Sequence, residues 1–266
     1  MKHLIYILVA LVFFNSCSEY QKVLKSEDIA AKFQLGEQLY NEGKYTKANR
    51  LFEQIVPAYR GKPQAEKLMF LYADTYYQTG EEYLAGYQFE RFTSAYPRSE
   101  KLEEAYYKSA MSYAALSPVY SKDQHETQNA LEKLQLFANL YPSSSHMPEI
   151  NKTVKDLEYK LELKAYSIAK QYNHITDYKA SIKTFDNFIA DFPGSTLREK
   201  ALYYRFDSAY RLAINSVEYK KKQRLEDAIT YYNAFKRLYS GSEFIADADK
   251  MNEDLKEQLQ KYSTNI

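Results

Sequence analysis

Few side chains in this sequence stand where they could do chemistry together. The four histidines, His3, His125, His146 and His174, are dispersed, and none has another His or Cys at a metal-ligand spacing. No metal site and no cofactor is expected. Glu81 with Glu82 and Glu103 with Glu104 offer the residue type of a general acid and base, but adjacent positions do not face each other on a helix, so solvated surface is the reading. Ser143 to Ser145 suit a loop and a helix start. Neither a Gly-rich phosphate loop nor a Gly-x-Ser-x-Gly nucleophile turn occurs, and no enzyme is expected. That leaves Cys17, the sole cysteine, which has no second thiol for an internal disulfide.

The residues before Cys17 give it a role. Met1, Lys2 and His3 form a short basic start, Leu4 to Phe14 an eleven-residue apolar run, and Asn15-Ser16-Cys17 comes next. This reads as a signal peptide over 1–16, because a membrane-spanning helix needs roughly 20 apolar residues. The position of Cys17 resembles the lipobox of bacterial lipoproteins, with Ser16 fitting and with Phe14 and Asn15 standing where aliphatic and small residues are commoner. The resemblance implies that Cys17 becomes residue one and carries acyl chains such as palmitate. Several chains hold a protein to a bilayer where one would dissociate. By the same resemblance, Ser18 after the cysteine points to the outer membrane, and 17–26 reads as a lipidated linker.

In the mature chain, only seven Gly and seven Pro among 266 residues argue for long elements with few tight turns, hence helices. The 28 Tyr suit half-buried grooves and interfaces. Formal charge is +1, and removing Lys2 with the leader leaves 35 basic against 35 acidic side chains, so nucleic acid is not an expected partner.

Internal self-similarity organises the residues after the linker. Five copies of one phrase read FEQIVPAYRGK from Phe52, FERFTSAYPRS from Phe89, LQLFANLYPSS from Leu134, FDNFIADFPGS from Phe185 and YNAFKRLYSGS from Tyr232. Large apolar residues at the first, fourth and eighth places give the period of one helix face, and in the middle three copies a following Pro ends the helix. Ser or Lys closes each phrase. Four residues upstream stands a small residue, Ala48, Ala85, Ala130, Ser181 or Ala228, where a neighbouring backbone approaches closely. Further upstream lies another amphipathic stretch, with Gly43 and Gly80 at C-terminal ends where a left-handed cap is easiest for Gly. The unit is a helix, a turn and a second helix.

These units resemble the tetratricopeptide repeat through Leu35-Gly36, Leu39, Gly43, Tyr45, Ala48 and Phe52 in the first copy and Tyr72-Ala73, Tyr76, Gly80, Ala85, Phe89 and Pro97 in the second. The favoured Trp never occurs, and Asp207 replaces the small residue of the fifth copy. The expected fold is therefore all-α, a solenoid of about five such repeats. Phrase starts lie 37, 45, 51 and 47 residues apart, against about 34 for an uninterrupted array, so there are insertions. Two fall near SPVYSKDQHETQ and NSVEYKKKQRLE, as long loops or short helical extensions. A third forms one long helix from about Pro148 to Asn173, whose stripe of Ile150, Val154, Leu157 and Leu161 is expected to pack a three-repeat front half (27–147) on a back half (148–266).

With CSEYQKVLKS opening the mature chain, the lipobox and five repeats together resemble the BamD family, the lipoprotein subunits of the outer-membrane β-barrel assembly machine. The resemblance implies a non-catalytic scaffold, lipid-anchored at the periplasmic face of the outer membrane. The back half would dock the barrel-forming subunit, and the front half would receive unfolded outer-membrane proteins near their C-terminal targeting segment. Other scaffolding tetratricopeptide lipoproteins of the envelope remain open, as do carbohydrate-capture lipoproteins, which expect a much longer chain. Transferring the tetratricopeptide register places Phe33, Tyr40, Phe70, Tyr77 and Tyr107 in the peptide-binding groove of the front repeats.

Overall fold

The computed structural model describes residues 19–262. Among them every regular element is helical: α1 (19–25), α2 (Ile29–Asn41), α3 (Tyr45–Ile55), a 3-10 turn (Val56–Tyr59), α4 (Ala65–Thr79), α5 (Glu82–Ala95), α6 (Leu102–Ala115), α7 (His125–Leu140), α8 (Met147–His174), α9 (Tyr178–Asp191), α10 (Arg198–Ile214), α11 (Glu218–Leu238) and α12 (Ile245–Gln260). The described residues form two compact units, one 19–118 together with 123–157, the other 119–122 together with 158–262.

In the first unit α2 pairs with α3, α4 with α5 and α6 with α7, and the repeated phrase explains the pairing. Its first and fourth residues, Phe52 and Ile55, Phe89 and Phe92, Leu134 and Phe137, are all fully buried, and so are the small residues Ala48, Ala85 and Ala130. Each large side chain sequestered in this way contributes roughly 1.5 to 3 kcal/mol. Gly36 receives the Phe52 ring at a distance no side chain would allow. Gly80 ends α4 in the left-handed conformation, and Asp28 starts α2 by accepting the N–H groups of Ala30 and Ala31. Ahead of the first repeat, Tyr20 of α1 is buried in the core around Phe52. The first turns of α8 complete the third repeat, with Ile150, Val154 and Leu157 against Tyr107 and Phe137.

The second unit repeats the scheme with α9, α10 and α11. Phe185 and Phe188 pack around Tyr166 and Ala169; Phe206, Tyr232 and Phe235 form the next layer, and Leu255 of α12 closes it. Ser181, the small residue of this phrase, is fully buried and donates to the Ala169 carbonyl oxygen at 3.1 Å.

The closing serines have a shared task. Ser99, Ser144, Ser195 and Ser242 each accept, through Oγ, the backbone N–H two residues on, at 3.0 to 3.1 Å. Each stands three residues before the next helix begins. The hydroxyl satisfies one orphan donor at the start of that helix, which is why Ser recurs there. The insertions differ in kind: the third repeat has a loop at 116–124, whereas in the fifth the extra residues lengthen α11 at its start. The long helix expected from Pro148 to Asn173 runs from Met147 to His174.

Candidate peptide-binding cleft

The first helix of each repeat in the first unit, α2, α4 and α6, contributes to a cleft of about 490 Å3 whose walls include Tyr40, Lys67, Phe70, Lys101 and Glu104. Through Tyr40 and Glu104 the cleft adjoins a charged network. Asp74, with a side chain 0% exposed, accepts the Tyr40 hydroxyl at 2.5 Å and Lys108 Nζ at 2.5 Å. Lys108 also pairs with Glu104 at 2.8 Å, and Lys101 reaches Glu104 at 2.9 Å. Tyr40, Asp74 and Lys108 are spaced 34 residues apart in three successive first helices.

Burial shifts these groups. It pushes the Tyr40 phenol up, and the neighbouring Asp74 carboxylate adds to the effect. Burial would lower Lys108, but hydrogen bonds and charges from Asp74 and Glu104 outweigh it and hold the ammonium above its usual value. Burial would raise Glu104; Lys108 and Lys101 reverse the sign and lower it. Each of Lys108 and Glu104 is thus shifted toward its charged form by its partners. Lys101 and Lys108 lie 5.3 and 5.6 Å from the Phe70 ring centre, within cation–π range. Lys67 is held on the rim by an ion pair with Glu37.

Of the five rings expected in a groove, Tyr40 and Phe70 line this cleft. Phe70 is nonetheless 7% exposed, its face packed edgewise on Phe89 and Phe92. Tyr77 is half-buried beside Phe89. For Phe33 and Tyr107 an open position is corrected: Phe33, 6% exposed, stacks on Tyr59, and Tyr107, 9% exposed, stacks on His146 at 3.8 Å with its hydroxyl on Glu149. The residues that cover them come from the turn after α3 and from the start of α8, which the repeat register does not include. The charged residues of the cleft, Glu66, Lys67, Lys101 and Glu104, and the adjoining Asp74 and Lys108 were missed by the register; the equal spacing of Tyr40, Asp74 and Lys108 was the available signal. Cys17 lies outside the described residues. Among those described, no helix is long and apolar enough to cross a membrane, and no group of three His, Cys, Asp or Glu is placed to hold a metal ion.

Paired helices stacked by a repeated phrase, with a cleft along the first helices of the front repeats, define a helical-repeat protein of the tetratricopeptide type. Residues 26–224 match the family YfiO, described as outer membrane lipoprotein, and the chain belongs to that family. No curated protein matches. Among solved structures, one similar chain is a kinesin light chain from Podospora anserina with nearly identical tetratricopeptide-like repeats, at 13% identity and a TM-score of 0.33, over 79% of this chain and 96% of that one. A computationally designed cyclic homo-oligomer aligns at 12% identity and a TM-score of 0.20, over 98% and 96%. Likenesses of this extent say nothing about function.

Proposed function

We propose that this outer membrane lipoprotein is a non-catalytic scaffold of the β-barrel assembly complex. It is tethered through acylated Cys17 at the periplasmic face, its second unit docks the barrel-forming subunit, and its first unit receives unfolded outer-membrane proteins. The observation that carries the reading is the cleft of the first unit, lined by the Tyr40 ring and the edge of Phe70 and rimmed by the ion-paired Lys67 and Lys101. Such a surface suits the apolar side chains of an extended peptide, and its rim suits a carboxylate.

Isolation of the native lipoprotein from membranes tests the assignment. Recovery of the barrel-forming subunit in stoichiometric amount is expected. Recovery of peptidoglycan enzymes or of a sugar-import channel in its place would replace this function with another envelope role. Titration with a synthetic peptide copying the C-terminal segment of a barrel protein tests the cleft separately.

A further inference from the structure

The start of α11 runs against helix electrostatics. This helix has 21 residues where α9, its counterpart in the preceding repeat, has 14. The extra turns carry Lys220, Lys221, Lys222 and Arg224, close to the positive end of the helix dipole, where cations are unfavourable and anions are preferred. The one acid of the first turn, Glu218, is engaged by the Tyr262 hydroxyl. Val217 and Tyr219 beside them are 56% and 82% exposed. Neither the folding of α11 nor the packing of the second unit accounts for such a surface.

It adjoins a cleft. Between α9, α10 and α11 lies a cavity of about 300 Å3 with an apolar floor of Ile182, Leu212 and Tyr231 and a rim bearing Lys179, Lys183 and Arg224. Among the described residues no ion pair involves Lys179, Lys183, Lys220, Lys221 or Lys222. Two acids share the wall, Asp186, which is ion-paired with Arg205 at 2.8 Å, and Asp227, which accepts from the Gln223 amide at 3.0 Å, so the three cations stay in excess. Arg205 in turn lies over the Tyr231 ring at 4.4 Å, which fixes that ring as part of the floor.

We infer that this cleft is a docking site for an acidic segment of a partner protein, one aliphatic or aromatic side chain seated on the floor and flanking carboxylates paired with Lys179, Lys183 and Arg224. Positive rim and apolar floor together fit that chemistry. A flat anionic lipid surface would meet the lysines but leave the concave floor unfilled. The site deepens the docking role proposed for the second unit and rests on it only in part. An acidic segment from a protein of another assembly would remove the barrel-assembly role and leave this site standing.

The test is photocrosslinking of the full-length lipoprotein in intact cells, with p-benzoylphenylalanine in place of Tyr231 and the adducts sequenced by mass spectrometry. The expected adduct is a protein segment of net negative charge with an apolar residue at the point of attachment. Lys179→Glu with Lys183→Glu should lower its yield at least tenfold, while Lys155→Glu with Lys250→Glu leaves it unchanged. Should the charge-reversed chain fail to fold, Lys179→Gln with Lys183→Gln is expected to lower the yield at least threefold. Adducts with phospholipid, adducts with segments lacking acidic residues, yields indifferent to the lysines, or no adduct at all would each overturn the inference.

Discussion

A β-carbon on Gly36 would stand 2.6 Å from Cε1 of the Phe52 ring. Phe52 is fully buried. Gly36→Ala is therefore expected to destabilise the first unit by about 1 to 3 kcal/mol, the usual cost of overpacking, although alanine is the better helix former. Urea unfolding followed by circular dichroism measures it. A stability equal to or above that of the wild type would show that the ring shifts freely.

Leu157 is 5% exposed, in the cluster that joins α6 and α7 to the start of α8. Leu157→Asp buries an unpaired carboxylate there and should cost about 3 kcal/mol or more. A loss under about 0.5 kcal/mol, the range of surface changes, would place this side chain in solvent.

The lowered Glu104 carboxyl carries a pH dependence. Its folded value lies below the unfolded one of about 4.3, so its contribution is complete above that pH and is lost as the pH falls through the folded value. The stability gap between wild type and Glu104→Gln should be widest above pH 5 and shrink toward acid. A gap that is constant from pH 3 to pH 7 would mean that Lys101 and Lys108 do not favour the ionised form.

Lys101 stands on the rim of the first-unit cleft, over the Phe70 ring, and its side chain is 56% exposed. Lys101→Glu with Lys67→Glu should weaken binding of the barrel-protein peptide roughly tenfold, while the melting temperature changes by no more than a few degrees. Equal affinity for both proteins would direct the search for the peptide site elsewhere.

Loss of the proposed acyl anchor is read by fractionation. Cys17→Ala should yield a folded protein released from membranes by a high-salt wash. Retention after that wash would assign anchoring to partner proteins or to an uncleaved apolar leader.

The helices and their pairing were open to sequence reasoning because the phrase repeats its apolar spacing five times, and the buried positions from Phe52 to Phe235 obey it. The cleft was less open. Tyr40 and Phe70 could be placed by register, but Phe33 and Tyr107 are covered by Tyr59 and His146, which lie outside the helices that the register describes. Whether a ring at a groove position meets solvent depends on the connecting turns, and repeat periodicity does not encode those. The closing serine was visible as a pattern, yet its reason, the N–H two residues on, appears only in the folded chain.

Those serines bear on how such a chain accommodates change. All four joints have the same short span from hydroxyl to helix start, even the one at Ser144 ahead of the lengthened α8, and the two other insertions, the loop at 116–124 and the early turns of α11, fall inside repeats. Extra residues therefore alter what a repeat displays while the chain span that starts the next helix stays the same. Within each unit, mutation is free to graft new surface, such as the lysines of α11, onto a frame whose spacing stays constant.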